Sequence, residues 1–69
     1  MSDNCAEIID AIIAQRRKQG LTQCELAAAC NLTQSVIARL ESKRTVPQLD
    51  TLLKILSALG QTLVIAPVD

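Results

Sequence analysis

The sequence predicts an all-α domain of four to five short helices, followed by one β-strand near the C-terminus. Three observations support this fold class. Apolar residues recur at helical spacing in separate segments, Gly20 and Gly60 follow two of those segments, and residues 61–66 are rich in β-branched and apolar side chains. Because 69 residues are enough for only one small domain, we expect a helical domain over 1–60 and a dimerisation strand and tail over 61–69.

The composition argues against an enzyme and against a metal or cofactor site. The chain contains no His, Phe, Trp or Tyr. This removes the commonest general base, the His-containing zinc sites and the aromatic platforms that stack single-stranded bases. Its cysteines, Cys5, Cys24 and Cys30, form no CxxC pair, and we expect reduced, small buried hydrophobic residues. A redox switch through Cys24 and Cys30 is the minor alternative.

No apolar run approaches the roughly 18 residues of a membrane span, and Met1 to Asn4 lack the basic start of a signal peptide. We therefore expect a cytoplasmic protein with no membrane partner. Seven basic and seven acidic residues leave no net charge, so global charge does not favour nucleic acid. The basic residues cluster at 16–18 and at 39–44, a pattern that by itself is more typical of a solvated surface.

The first predicted helix covers residues 5–19. Its apolar residues lie at helical spacing, at Ile8, Ile9, Ile12 and Ile13. Acidic residues near its start and the basic residues 16–18 near its end suit the helix dipole. Gly20 follows as a C-terminal stop.

Two short helices are predicted next, over 23–29 and 34–41. Thr22 and Glu25 form a T-x-x-E capping box for the first of them, and Asn31 suits a turn that needs a left-handed residue. Thr33 can cap the second. One face of that second helix is apolar, at Val36, Ile37 and Leu40. The opposite, exposed face carries Gln34, Ser35, Ala38 and Arg39.

The fourth helix is predicted over 48–58, after Pro47 and before Gly60. Residues 61–66 then have the composition of a strand. A lone strand leaves its backbone amides and carbonyls unpaired, so we expect it to pair antiparallel with the same strand of a second copy, in a homodimer. The central pairing residues are Thr62, Leu63, Val64 and Ile65. A frayed apolar tail is the alternative.

The second helix, the turn and the third helix together form the outline of a helix-turn-helix. The later helix of such a pair can enter the major groove of double-stranded DNA with its N-terminal residues against the base edges. Gln can pair bidentately with adenine, Arg with guanine, and Ser with either. Gln34, Ser35 and Arg39 are therefore candidate base-reading residues, although geometry alone is equally compatible with plain surface residues.

The same region resembles a known family. Gly20-Leu21-Thr22-Gln23 and Glu25-Leu26-Ala27 match the G-L-T-Q-x-E-L-A pattern of the phage-repressor and Cro-like (XRE) helix-turn-helix family. The likeness continues through Thr33-Gln34-Ser35-Val36-Ile37, Leu40-Glu41 and Arg44-x-x-Pro47-x-x-Asp50-Thr51-Leu52, and covers about residues 8–60. It implies a lambda-repressor-like DNA-binding domain and sequence-specific DNA binding.

The resemblance also implies roles for individual residues. The base-reading positions of the family correspond to Gln34, Ser35 and Arg39. Its phosphate-contacting positions correspond to Thr22, Gln23, Thr33, Lys43 and Arg44. Arg16 and Glu41 match a partly buried ion pair between the first and third helices. The sequence supports this pair because each residue lies one turn after an apolar stripe position, Ile12 or Ile37.

Two positions depart from the family pattern. Asn31 stands where the family usually has a turn Gly. The left-handed conformation costs Asn more free energy than it costs Gly. Ser42-Lys43 replaces the common Asn-Gly, so the loop after the third helix is expected to differ in shape. This difference affects the role of Lys43 more than that of Arg44.

The tail from Leu59 to Ile65, with the Pro that follows, resembles the tail of HipB-like antitoxins. In that group a helical DNA-binding domain ends in a strand that pairs across the dimer, and the protein represses its own operon and binds a toxin kinase. The resemblance implies a dimeric repressor and antitoxin that binds a pseudo-palindromic operator. A free-standing repressor and a protein-interaction adaptor that has lost DNA binding are the alternatives.

Overall fold

The computed structural model describes residues Ser2 to Val68 and contains four helices. They are α1 (Asp3–Lys18), α2 (Gln23–Cys30), α3 (Gln34–Glu41) and α4 (Leu49–Ala58). The predicted all-α fold is confirmed, and the helix ends differ from the predicted ones by one or two residues at most. Met1, at the start of the predicted 1–60 domain, and Asp69, at the end of the predicted tail, lie outside the described residues.

The helix starts follow from local hydrogen bonding. The hydroxyl of Ser2 accepts from the amide of Cys5 at 3.3 Å, so α1 begins two residues earlier than predicted. Thr22 and Glu25 form the predicted capping box before α2, with bonds of 3.0 and 2.9 Å. Thr33 caps α3 through the amide of Val36 at 3.3 Å.

Each of the four helices is followed by a residue in the left-handed conformation. These residues are Gly20, Asn31, Lys43 and Gly60, at φ of 72°, 57°, 63° and 74°. After α2, the amide of Leu32 donates to the carbonyl of Ala27 at 2.9 Å, which closes the end of the helix and starts the turn toward α3. The prediction for Asn31 is confirmed, whereas the left-handed Lys43 was not predicted from residue types.

The core lies where the four helices meet, and it is entirely aliphatic apart from one cysteine. Its buried members are Ile9, Ile12, Leu26, Ala27, Cys30, Ile37, Leu40, Leu52, Ile55, Leu56 and Leu59. Ile37 is 0% exposed and Leu40 is 3% exposed. Because the apolar face of α3 is buried in this core, the opposite polar face is directed to solvent.

One core prediction is wrong. Cys24 is exposed, Cys5 is half-buried, and only Cys30 is buried, all three as free thiols. The buried stripe of α2 consists of Leu26, Ala27 and Cys30. Cys24 precedes Leu26 by two residues, about 200° around a helix, and so falls away from the centre of that stripe.

Residues 61–68 follow α4 without forming a helix or a strand within the described chain. Since a strand is defined by its pairing, a strand that pairs only with a second copy does not form in a single chain. The predicted pairing of 61–66 therefore stays a prediction, as does the division between 1–60 and 61–69. Among the described residues, every helix falls short of the length and apolarity that a membrane span requires.

Candidate nucleic-acid interface

The outward face of α3 carries the three predicted base-reading side chains. Gln34, Ser35 and Arg39 are all exposed. Gln34 is the first residue of α3 and Arg39 lies in its last turn. Within Ser2–Val68 the ion pairs are Arg16 with Glu41 and Lys43 with Asp10, so no carboxylate of this part of the chain neutralises Arg39. The face therefore presents an amide, a hydroxyl and a guanidinium toward solvent.

A chain of polar contacts connects this face to the interior. The side-chain amide of Gln34 donates to Gln23 at 2.7 Å, and that of Gln23 donates to Glu41 at 3.0 Å. Arg16 donates from Nε and Nη2 to the two carboxylate oxygens of Glu41 at 2.7 and 3.0 Å. A third Arg16 nitrogen, Nη1, donates to the carbonyl of Leu21 at 2.8 Å. The network therefore ties α1, the start of α2 and both ends of α3 to one another.

The ion pair between Arg16 and Glu41 is largely shielded from water, because their side chains are only 11% and 8% exposed. Burial by itself raises the pKa of Glu41. The hydrogen bonds from Arg16 and Gln23 and the charges of Arg16 and Arg17 outweigh burial and leave the pKa below its usual value. Glu41 is therefore held as a carboxylate, and the pair fixes α3 against α1.

The contact with Gln23 orients Gln34 without exhausting its hydrogen-bonding capacity. An amide side chain offers two N–H donors and one carbonyl acceptor. Gln34 uses one N–H on Gln23, so one N–H and the carbonyl oxygen are left. These two groups are the pair needed for bidentate contact with adenine in the major groove. Gln23 uses its carbonyl and one N–H within the network, which leaves one N–H for a phosphate oxygen.

The two capping threonines retain a donor as well. The hydroxyl oxygens of Thr22 and Thr33 accept from the amides of Glu25 and Val36. Acceptance uses a lone pair and leaves the hydroxyl proton available for donation. Both residues stand at the N-terminus of a helix, where the dipole favours a negative group. Thr33 therefore has the donor and the local field for a phosphate, whereas at Thr22 the carboxylate of Glu25 already accepts from the backbone amide and adds a negative charge.

Lys43 and Arg44, in the loop after α3, are placed differently from each other. Lys43 forms an ion pair with Asp10 of α1. Arg44 is exposed, and the described chain offers it no carboxylate partner. The hydroxyl of Ser42 donates to the carbonyl of Arg39 at 2.6 Å and accepts from the amide of Arg44 at 3.4 Å. The loop is thus attached to the end of α3, with Arg44 free to meet an anion.

Sequence reasoning missed two residues that shape this region. The sequence identifies Asp10 only as one of the acidic residues near the start of α1, yet its carboxylate pairs with Lys43, 33 positions further along the chain. Gln19 donates to the carbonyl of Leu59 at 2.8 Å and so connects the end of α1 to the end of α4. No local signal identifies either contact, because each joins residues that only the folded chain brings together.

The remaining candidates lie away from α3. Leu63 is 39% exposed beside a groove of about 320 Å³ lined by α1, α4 and the start of the tail. Val64 and Ile65 are 80% and 102% exposed.

Burial raises the pKa of the Cys30 thiol, against a smaller lowering by the charge of Lys54, so Cys30 remains a neutral thiol. No group of three potential metal ligands occurs within the described residues.

Two helices joined by a left-handed turn, with an aliphatic inner face and a polar outer face on the second, define a helix-turn-helix domain. The profile of the helix-turn-helix family matches residues 12–65, and the chain belongs to this family. This result confirms the expected resemblance.

Two similar proteins add detail. An uncharacterized HTH-type transcriptional regulator of Haemophilus influenzae is 43% identical over 60 residues, which are 87% of this chain and 61% of that protein. The chain thus spans about three-fifths of that relative. A structure named as a toxin-antitoxin module from Streptococcus pneumoniae is 40% identical, with a TM-score of 0.81, over 97% of this chain and 74% of that one.

Proposed function

We propose that the chain is a sequence-specific DNA-binding transcriptional regulator that acts as a dimer and represses its own operon. The observation that carries the proposal is the outer face of α3, where Gln34, Ser35 and Arg39 are exposed and Gln34 is oriented by a network that ends in a largely shielded ion pair. The family and the transcriptional regulator that resembles this chain support the same function. The role is one of binding and not of catalysis, and a DNA target agrees with the cytoplasmic location expected from sequence.

In the proposed complex, α3 enters the major groove with Gln34 and Ser35 near its N-terminal end against the base edges. Arg39 reads a further position, with guanine as the favoured partner. The backbone contacts come from Thr22, Gln23, Thr33, Lys43 and Arg44. These contacts position the domain and give binding its salt dependence. Bound protein represses by obstructing polymerase.

Dimerisation is proposed through the tail. Within Ser2–Val68, the amides of residues 62–66 donate to no backbone carbonyl, so they are available to a second strand. In an extended segment Leu63 and Ile65 share one face. Leu63 borders the groove between α1 and α4, whereas Ile65 extends past it and is wholly exposed. A second copy paired antiparallel would cover Ile65, and burial of such a side chain contributes about 1.5–3 kcal/mol.

A dimer with two-fold symmetry implies a pseudo-palindromic operator. The two α3 helices would occupy successive major grooves on one side of the duplex, about 34 Å apart. Because a dimer forms each phosphate contact twice, once per protomer, affinity for the operator should depend strongly on dimerisation. A single α3 helix on a half-site should therefore bind much more weakly.

The antitoxin role is the finer part of the proposal. Its support is the likeness to a chain of a toxin-antitoxin module from Streptococcus pneumoniae, over almost the whole of this chain. The tail, with its HipB-like pattern, adds a toxin kinase as the proposed partner. A free-standing repressor is the alternative, and co-purification with the product of the neighbouring gene separates the two.

The dimer is tested in the full-length chain with Ile65→Asp. The side chain of Ile65 is exposed in the single chain, so the substitution leaves the fold of the protomer intact and acts only on the pairing. Val68→Asp is the matched control, because Val68 is 97% exposed but lies beyond the proposed strand. We expect sedimentation to give a monomer for Ile65→Asp and a dimer for Val68→Asp. Equal dimerisation of the two variants would refute the strand pairing.

DNA binding is tested by charge reversal at the interface. Arg39→Glu and Arg44→Glu should abolish operator binding, because each places a carboxylate against the DNA. Lys54→Glu is the control, since it changes the net charge equally from α4. If the reversed variants kept full activity in cells and no duplex were bound by the wild type, the chain would instead be a protein-interaction adaptor.

A further inference from the structure

We infer that Asp10 competes with DNA phosphate for Lys43 and so limits the number of phosphate contacts that each protomer makes. The inference rests on the proposed DNA-binding function and concerns one residue outside the helix-turn-helix itself. Asp10 lies on α1, and its carboxylate pairs with the ε-ammonium of Lys43 in the loop after α3. Lys43 is the one predicted phosphate contact whose charge is already neutralised by an acidic side chain of the described chain.

The loop geometry keeps Lys43 next to Asp10. Lys43 adopts φ of 63°, which a residue with a side chain rarely adopts. Its amide donates to the carbonyl of Leu40 at 3.1 Å, and the Ser42 hydroxyl donates to the carbonyl of Arg39 and accepts from the amide of Arg44. The backbone at this position is therefore held by the end of α3. The lysine side chain crosses to α1, whereas the neighbouring Arg44 pairs with no carboxylate between Ser2 and Val68.

The exposure of the pair makes exchange feasible. The side chain of Lys43 is 37% exposed and that of Asp10 is 60% exposed. Exposed ion pairs are weak and are screened by salt, so the ammonium can leave Asp10 for a phosphate oxygen. Asp10 then remains close to that phosphate, and the two like charges repel. The lysine contact is therefore partly cancelled in the wild-type protein.

This arrangement predicts a specific change in salt dependence. The slope of log K against log salt reflects the number of phosphates neutralised, at about 0.9 per contact on B-DNA. Asp10→Asn removes the competing charge and keeps the side-chain size. We expect its slope to be steeper, by at most about one contact per protomer, with tighter binding at low salt. The gain in affinity should be equal on the operator and on an unrelated duplex, because phosphate contacts carry no sequence information.

The test compares full-length variants by titration of an operator duplex and an unrelated duplex of equal length at several salt concentrations. Glu7→Gln is the matched control, because Glu7 is an exposed carboxylate one turn earlier on α1 with no cationic partner in the described chain. It changes the net charge as Asp10→Asn does and should leave the slope as in the wild type. The gain should also disappear in the double variant Asp10→Asn with Lys43→Gln, which keeps a side chain at the left-handed position.

The outcomes separate the inference from the function on which it rests. Competition between Asp10 and phosphate for Lys43 would be refuted if Asp10→Asn and Glu7→Gln gave the same salt slope, or if the double variant kept the gain in affinity. Either result would leave the proposed DNA binding intact. If the wild type bound no duplex at any salt concentration, the proposed DNA-binding function would fail, and the inference with it.

Discussion

The substitution Arg16→Met tests whether the ion pair between Arg16 and Glu41 holds α3 in place. It removes three hydrogen bonds, of 2.7 and 3.0 Å to Glu41 and of 2.8 Å to the carbonyl of Leu21. Glu41 is left with the single bond from Gln23 at 3.0 Å, on a side chain that is 8% exposed. Removal of one partner of a buried pair costs about 3–5 kcal/mol. Since both side chains reach the surface slightly, we expect about 3 kcal/mol.

This loss is large for a domain of this size. Proteins are stabilised by about 0.05–0.15 kcal/mol per residue, and 1 kcal/mol corresponds to about 4–8 °C in Tm for a small domain. The Tm of Arg16→Met should therefore be lower by about 12–24 °C. The chain has no Trp or Tyr, so unfolding is followed by far-ultraviolet circular dichroism, at one protein concentration because a dimer's stability depends on it.

The control and the pH dependence make the test specific. Lys18→Met removes an exposed cation from the same end of α1 and should change the Tm very little. The pKa of Glu41 in the folded protein lies below its ordinary value of 4.5. The stability that Glu41 contributes is thus present above that pH and is lost as the pH falls through the lower folded-state pKa. Wild type and Arg16→Met should therefore converge in acid. Equal Tm values for Arg16→Met and Lys18→Met at neutral pH would show that the ion pair does not stabilise the fold.

Three further predictions concern single side chains. Asn31→Ala should cost about 1–2 kcal/mol, because alanine is strained at φ of 57°, whereas Asn31→Gly should be at least as stable as the wild type. Thr22→Ala should cost about 1 kcal/mol through loss of the α2 cap. Both are measured by thermal unfolding. Arg39→Ala should cost about 1–3 kcal/mol of operator affinity and relax the preference at one base position; an equal loss on all sequences would contradict a base-reading role.

Local signals were enough to predict the four helices and the turn between α2 and α3. The isoleucine and leucine spacing gave the buried faces, and the capping box of Thr22 and Glu25 gave the start of α2. Asn31 could be assigned a left-handed conformation because its side chain tolerates that region better than most. In each case the residues that determine the feature are within a few positions of one another.

The features that sequence could not supply involve distant residues or a second chain. The pairing of Asp10 with Lys43 requires the packing of α1 against the end of α3, and no spacing rule connects the two. Cys24 was expected in the core because free cysteines are usually buried, but its angular position on α2 decided otherwise. Lys43 adopts a left-handed conformation that lysine rarely adopts, so its residue type does not predict it. The only indication is the family pattern, which has Gly at this position.

The polar network contains one contact that the sequence predicted and others that it did not. The pairing of Arg16 with Glu41 was expected from their helical positions and from the family. The continuation through Gln23 to Gln34 was not, because amide side chains have several rotamers and several partners within reach. The network explains why Gln34 is expected to read bases with a fixed orientation, a property that residue type alone does not supply.

The most direct test of the central claim is a footprint and titration of the purified protein on the DNA upstream of its own gene, at two salt concentrations with competitor DNA. We predict protection of a pseudo-palindrome about two helical turns long, with half-sites about 34 Å apart and affinity that falls as salt rises. Weak binding that protects no site, and that Arg39→Glu does not change, would contradict sequence-specific recognition by α3.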